Sequence, residues 1–156
     1  ILDGFSKSFA MTGWRLGYGI FPNQLVEPIS RPVTNSVSCT SAFSQKAAAA
    51  AIQGPQDSVK MMLEEFKERS KIVVSGFNEI NGISCIQPKG AFYAFPNIKD
   101  TGYKSQDLSD ALLKQGVAVL PGTSFGKFGE GYLRISFANS RENLKKALNI
   151  IKEFLD

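Results

Sequence analysis

Residues 6–18 have the sequence Ser-Lys-Ser-Phe-Ala-Met-Thr-Gly-Trp-Arg-Leu-Gly-Tyr. They follow an apolar segment, residues 1–5, that is typical of a short strand. Glycines then recur at alternate positions, at Gly17 and Gly19, which favours a close approach of two backbone segments over a regular helix. We therefore predict a strand followed by a tightly held loop at the start of the chain.

Lys7 is the first residue of this loop that could carry chemistry. It comes directly after the strand, and its neighbours along the chain are apolar rather than charged: Phe5, Phe9, Met11 and Trp14. Burial among such side chains favours the neutral amine, which can attack a carbonyl to form a Schiff base. The structural alternative is a lysine that ends a strand and extends its ammonium group into water.

Two arginines are candidates for binding anions. Arg15 lies eight positions after Lys7, beyond a turn, where it could return to the same pocket and donate two hydrogen bonds to a phosphate. Arg134 lies in residues 132–137, whose alternating pattern predicts a strand with the arginine on the face away from the core. The structural alternatives are a surface charge for Arg15 and a salt bridge to a nearby carboxylate for Arg134.

The composition excludes several kinds of enzyme. The 156 residues are 43% hydrophobic and 21% charged, which is typical of a globular domain with a packed core. Histidine is absent, which excludes an imidazole base, a Ser/His/Asp triad and a histidine-ligated metal within this chain. Cys39 and Cys85 cannot supply four zinc ligands and are typical of reduced thiols, so we expect no metal site.

Charge and hydropathy patterns bear on the partners of the protein. The net charge is +4, and the basic residues are scattered, which disfavours nucleic acid and favours a small anionic molecule. No apolar run approaches the ~20 residues of a transmembrane helix, and no secretory signal is evident. We expect a cytoplasmic protein without a membrane partner. The chain starts without methionine on a strand-like segment, and we expect it to be part of a longer polypeptide.

The first half of the chain is predicted to be helical after the loop. Prolines at 22, 28 and 32 interrupt the next segment, with room for a short helix over residues 23–29. An alanine-rich helix is predicted over residues 42–53, ended by Gly54. Apolar residues at three- and four-residue steps then predict a long amphipathic helix over residues 55–79, which could join two domains.

Residues 80–156 alternate between strand and helix patterns and are predicted to form an α/β unit. Strands are expected at residues 83–86, 91–95, 117–120 and 132–137, and helices after Ser105 and Ser140. The glycine-containing segment 121–126 does not have nucleotide-binding spacing and is interpreted as a turn. The aromatic residues Phe92, Tyr93 and Phe95 are interpreted as part of the core.

The segment 6–18 closely resembles the cofactor-lysine motif of the class I/II aminotransferases, the pyridoxal-phosphate enzymes of fold type I. Three later segments follow the pattern of this family in order: residues 88–93, 121–126 and 131–138. The resemblance covers nearly the whole chain and is closest to the aspartate-like or broad-specificity members. It implies the end of the large pyridoxal-phosphate domain in residues 1–54, a connecting helix in 55–79 and a small α/β C-terminal domain in 80–156.

The resemblance also implies roles for the candidate residues. Lys7 would hold pyridoxal 5'-phosphate covalently, Arg15 would bind the cofactor phosphate, and Arg134 would bind the substrate α-carboxylate. The parent enzyme would be a homodimer that transfers an amino group from an α-amino acid to an α-keto acid. Gly4 replaces a serine that contacts the phosphate in many members, and Asp3 is too close to Lys7 to pair with the pyridine nitrogen.

Two alternatives to transamination remain at this point. The same lysine and arginines would serve another reaction of fold type I enzymes, such as β-elimination or a synthase reaction. The chain could also be a non-catalytic binding or dimerisation domain that keeps the fold. Because the family places the aspartate that contacts the pyridine ring upstream of the lysine, we expect the isolated chain to be inactive.

Overall fold

The computed structural model describes residues 1–156, which form two compact units, Ile1–Met62 and Leu63–Asp156. In the first unit, β1 (Leu2–Gly4) pairs with the antiparallel strand β2 (Gly17–Gly19). The loop between them contains one turn of 3-10 helix, Thr12–Trp14. The predicted strand at the start of the chain is thus present, although it is shorter than residues 1–5.

The close backbone approach that the glycines predict is found between these two strands. A Cβ atom on Gly17 would lie 2.9 Å from the carbonyl oxygen of Asp3, which is closer than real side chains come to a backbone oxygen. Glycine at this position therefore allows β1 and β2 to pair.

The helix that follows is longer than the prolines suggest. Helix α1 (Asn23–Val37) runs through both Pro28 and Pro32, so the prediction of a short helix over residues 23–29 is wrong. Each proline removes one N–H donor from the helix, which leaves the carbonyls of Gln24 and Pro28 without a helical partner. All of α1 except Ile29 is exposed, so these carbonyls can bond to water and the interruption is tolerated.

The next two helices agree well with the sequence pattern. Helix α2 spans Ala42–Gln53, as predicted, and packs Ala48 against Phe5 and Met11 in a small core. Helix α3 spans Asp57–Asn78, two residues shorter at its start than the predicted segment. The side-chain amide of Gln56 donates to the carbonyl oxygens of Ala51 and Gly54, which closes the turn before α3.

The second unit contains a three-stranded antiparallel sheet in the order β3-β5-β4. Its strands are β3 (Tyr93–Ala94), β4 (Leu120–Pro121) and β5 (Leu133–Ser136). The predicted strand over residues 83–86 is reduced to one bridge between Ser84 and Asn97. The predicted strand over residues 117–120 is shorter because the helix before it takes its backbone groups: Val117 N donates to Leu112, and Ser109 donates to the Val119 carbonyl.

Two helices complete this unit, α4 (Ser105–Lys114) and α5 (Arg141–Leu155). Ser140 caps α5 as predicted, since its hydroxyl accepts a hydrogen bond from the Asn143 N–H. Ser105 is not the cap of α4 but its first residue, and its N–H donates to the carboxylate of Glu130, 25 positions away. Because that acceptor comes from a distant loop, the local sequence could not indicate it.

The core of the second unit lies between the sheet and the helices. Its fully buried side chains come from α3, α4, β5 and α5 and from the segments between them: Val73, Phe77, Ile98, Leu108, Leu112, Leu133, Phe137 and Ile151. No helix of the protein has the length and apolar content that a bilayer crossing requires.

Candidate functional site

Lys7 lies in the loop between β1 and β2, in a turn that reverses the chain. Its carbonyl oxygen accepts a hydrogen bond from the N–H of Ala10, and the Phe5 carbonyl accepts one from Met11. Phe5 and Met11 are buried, whereas Lys7 is exposed. Lys7 is thus exposed within this chain even though two of its apolar neighbours in the sequence, Phe5 and Met11, are buried.

Arg15 lies on the same loop, which is closed by a hydrogen bond from Phe5 N to the Leu16 carbonyl. Two residues of the loop without glycine's freedom, Ala10 and Arg15, have φ angles of 53° and 52°. Such left-handed conformations cost energy and cluster at ligand sites, where the surrounding structure holds them. The backbone conformation of this loop is therefore fixed, and the loop carries both Lys7 and Arg15.

The guanidinium group of Arg15 forms no ion pair within the chain. One of its nitrogens donates to the Thr12 carbonyl at 3.0 Å, which leaves its other N–H groups for a ligand. A guanidinium with several free donors and no carboxylate partner matches the hydrogen-bond acceptors of a phosphate group. The donor set of this loop is thus suited to a phosphate group.

Asp3 and Gly4 precede the loop. The Asp3 carboxylate accepts from the Gly4 N–H at 2.7 Å and from the Tyr18 hydroxyl at 3.3 Å, so it is held in local hydrogen bonds at the strand pair. A Cβ on Gly4 would meet only ordinary contacts, the nearest 3.7 Å from the Leu16 carbonyl. A small side chain such as that of serine would therefore fit at position 4.

Arg134 lies on β5 in the second unit, on the face opposite the core. Leu133 and Phe137 are fully buried, while Arg134 is half-buried on the other side of the strand, as the alternation predicts. Its guanidinium carbon lies 4.5 Å from the centre of the Tyr93 ring and 4.0 Å from that of Phe125. No carboxylate of the chain pairs with it, which rules out the structural salt bridge within this chain.

Phe125 reaches Arg134 from the segment 121–126, whose sequence predicts a turn. Residues Gly122–Phe125 form one turn of 3-10 helix, and Gly126 follows with a φ of 125°. A Cβ on Gly122 would overlap the carbonyl oxygen of Gly129, and one on Gly129 would overlap that of Gly122. The turn thus depends on glycine at both positions, and it places an aromatic ring rather than a phosphate cradle beside β5.

The sequence does not predict this aromatic environment. Tyr93 and Phe95, interpreted above as part of the core, alternate with Ala94, which is the buried residue, and lie on the face of Arg134. Only Phe92 packs against the core. The period of two along the strand could have shown that Tyr93 and Phe95 face away from Ala94, whereas the approach of Phe125 depends on the fold.

Comparison with known proteins agrees with these features. The model of the family "Aminotransferase class I and II" matches residues 1–151. An aspartate aminotransferase of Pyrococcus horikoshii is 42% identical over 159 aligned residues, which cover all of this chain and 41% of that protein. An aromatic-amino-acid aminotransferase of Thermococcus litoralis is also 42% identical and is matched over 99% of this chain and 40% of its own length.

A solved structure shows the same fold. The crystal structure of the aspartate aminotransferase from Rhizobium meliloti matches with a TM-score of 0.93 and 38% identity, over 99% of this chain and 41% of that one. The present chain thus spans about two fifths of the length of these relatives. With a family match over nearly all of its α/β structure, the chain belongs to the class I and II aminotransferases.

Proposed function

We propose that this chain is the C-terminal part of a pyridoxal-phosphate-dependent aminotransferase that moves an amino group from an α-amino acid to an α-keto acid. The amino acid is aspartate-like, or the specificity is broad, in keeping with the names of the relatives. The observation that carries the proposal is Arg134, a half-buried guanidinium that is held by two aromatic rings and has no carboxylate partner in the chain. Such a group is suited to binding the carboxylate that all amino acids and keto acids share.

The loop between β1 and β2 supplies the cofactor groups in this proposal. Lys7 would bind the cofactor covalently through its amine, and Arg15 would hold the phosphate with the donors that Thr12 leaves free. The bound cofactor supplies an electron-withdrawing ring that stabilises negative charge at the substrate α-carbon. Pyridoxal phosphate is the cofactor that the family match supports.

Lys7 and Arg134 would divide the remaining work between a base and a binding group. The substrate amine would first displace Lys7 from the cofactor, and the freed Lys7 amine would then take the proton from the substrate α-carbon and return a proton during the amino transfer, so no histidine is needed. Arg134 fixes the α-carboxylate and thereby the direction of the α-proton. The exposed position of Lys7 in this chain means that the remainder of the enzyme would have to supply the water-excluding walls of the site.

The organisation of the parent protein follows from the same proposal. Residues 1–54 would end the large cofactor-binding domain, residues 55–79 would form the connecting helix, and residues 80–156 would form the small domain. The coverage of about two fifths of the relatives supports a longer enzyme, which we propose to be a cytoplasmic homodimer. The 156-residue chain alone is then expected not to transfer amino groups.

Trapping of the cofactor tests the proposal at Lys7. The full-length protein is incubated with pyridoxal phosphate, reduced with borohydride, digested and analysed by mass spectrometry. We expect a cofactor-modified peptide that contains Lys7, and its loss in Lys7→Arg. Lys46→Arg, which changes an exposed lysine of α2, is the matched control and should keep the adduct. An unmodified Lys7 peptide in the wild-type protein would refute the proposal and favour a non-catalytic domain.

Product analysis tests the reaction type. With an amino acid as the only substrate, a transaminase converts one equivalent per active site to the keto acid and leaves the cofactor aminated. Turnover resumes when an α-keto acid acceptor is added. Release of ammonia together with a keto acid, without need of an acceptor, would instead identify an elimination enzyme.

A further inference from the structure

Two aromatic rings lie against the Arg134 guanidinium. Its carbon is 4.5 Å from the centre of the Tyr93 ring on β3 and 4.0 Å from the centre of the Phe125 ring on the glycine-bounded turn. An arginine side chain is flexible, and its plane can normally rotate about several bonds. Contacts with two rings limit this rotation, so the N–H groups, which lie in the guanidinium plane, point in a narrower range of directions.

The ring of Phe125 is itself supported by a stack that extends across the sheet. Phe95 meets Phe125 edge to face, with ring centres 6.3 Å apart, and stacks on Tyr132 at 5.3 Å. The ammonium group of Lys99 lies 5.0 Å from the centre of the Tyr132 ring. We call this set the aromatic column; it consists of Tyr93, Arg134, Phe125, Phe95, Tyr132 and Lys99.

The aromatic column is not explained by burial. Phe125 is 47% exposed and Phe95 is 41% exposed, so much of both rings remains outside the core. The backbone that carries Phe125 is nevertheless tightly specified, since Gly122 and Gly129 touch backbone to backbone and Gly126 needs a positive φ. A fixed turn that holds an exposed ring against a cation points to a role at the ligand site rather than in stability.

We propose that Phe125 is a positioning residue for the carboxylate site: it clamps the Arg134 guanidinium against Tyr93 so that one in-plane edge is ready to bind a planar carboxylate through two hydrogen bonds. The identity of that carboxylate as the substrate's rests on the proposed function. This contact reduces the conformational entropy that the Arg134 side chain loses when it binds the carboxylate. Phe125 acts through Arg134 and takes no part in the proton transfer.

Three substitutions in the full-length protein test the clamp. Phe125→Leu removes the ring and keeps an apolar side chain at an exposed site, so the fold should persist. Phe125→Tyr keeps the ring and serves as the conservative rescue. Phe43→Leu, which also changes a largely exposed aromatic residue but lies away from Arg134 in sequence and fold unit, is the matched control.

The first readout does not depend on catalysis. In protein labelled with 15N-arginine, the side-chain N–H resonance of Arg134, assigned by its absence in Arg134→Lys, should be shifted upfield by the two rings. Titration with propanoate should move this resonance, whereas the neutral isostere propanamide should not. We expect Phe125→Leu to bring the resonance toward the ordinary arginine position and to weaken propanoate binding about 2- to 30-fold, the range that corresponds to one cation–π contact. Phe125→Tyr and Phe43→Leu should behave like the wild type.

The second readout is steady-state kinetics with the best amino-acid substrate. Phe125→Leu should raise KM by a similar factor and change kcat by less than about threefold, because it loosens a binding group and leaves Lys7 in place. Equal propanoate affinity in the wild type and Phe125→Leu, or a wild-type Arg134 resonance that does not respond to propanoate, would overturn the clamp. If the trapping experiment finds no cofactor adduct on Lys7 in the wild-type protein, the proposed function is refuted. The propanoate titration still tests separately whether Phe125 positions Arg134.

Discussion

The two units of the chain hold their candidate residues in different ways. In Leu63–Asp156, a core of 15 buried residues supports the sheet on which Arg134 lies. In Ile1–Met62, only Phe5, Met11 and Ala48 form a buried cluster, and the Lys7 loop is held by backbone hydrogen bonds and close glycine contacts. The position of Arg134 thus depends on packing within its own unit, whereas that of Lys7 depends mainly on local backbone geometry.

Substitution of a core phenylalanine gives the sharpest test of this contrast. Phe77 of α3 is fully buried in the second unit, and Phe77→Ala should lower the free energy of unfolding by about 3–5 kcal/mol through lost burial and a residual cavity. Urea denaturation followed by circular dichroism measures the effect.

The matched change in the first unit is Phe43→Ala. Phe43 is 72% exposed and makes one edge contact with Trp14, so the expected loss is below about 1 kcal/mol. If the two substitutions had equal effects, the contrast between a packed unit and a loosely packed one would be wrong.

Two serines, one in each unit, precede a helix and allow a second comparison. Ser140 and Ser41 each precede a helix, but only the Ser140 hydroxyl accepts a hydrogen bond from the helix N-terminus, from Asn143 N–H at 3.1 Å. Ser140→Ala should therefore cost about 1 kcal/mol, and Ser41→Ala should change stability by less than about 0.5 kcal/mol. The same denaturation experiment distinguishes them, and a larger loss in Ser41→Ala would contradict the assigned caps.

Much of the helical structure could be predicted because its causes are local. The bounds of α2 follow from the alanine-rich run and Gly54, and the cap of α5 follows from Ser140. The prediction for α1 is wrong because it considers only the low helix propensity of proline. Whether a broken hydrogen bond is costly depends on the exposure of the helix, which the sequence does not show. Local rules therefore succeed where the competing interactions are also local.

The candidate site divides in the same way. Lys7, Arg15 and Arg134 could be found from motif and alternation, but their surroundings could not. Lys7 is exposed although its neighbours Phe5 and Met11 are buried, and Arg134 lies against Phe125 from a turn nine positions earlier that returns beside the strand. Both outcomes depend on how separate segments pack, which a pattern within one segment does not specify.

The ion pair between Glu65 and Arg141 is expected to have the smallest effect on the free energy of unfolding, and that effect depends on pH. Arg141 of α5 hydrogen-bonds to both carboxylate oxygens of Glu65 on α3, and Arg69 donates to one of them at 2.7 Å. These bonds, first from Arg141 and then from Arg69, lower the pKa of Glu65 from its ordinary value of 4.5 to about 2.

All three side chains are partly exposed, so salt weakens the contribution to stability. Because the folded-state pKa lies below the unfolded one, that contribution is complete above about pH 4.5 and is lost as the pH falls to about 2. The difference in unfolding free energy between wild type and Glu65→Gln should accordingly be constant at neutral pH and shrink across this window. The difference in unfolding free energy between wild type and Arg141→Gln should show the same loss in acid but to a smaller extent, since Arg69 still bonds to Glu65. If the difference between wild type and Glu65→Gln stayed constant down to pH 2, α3 and α5 would not be joined through this carboxylate.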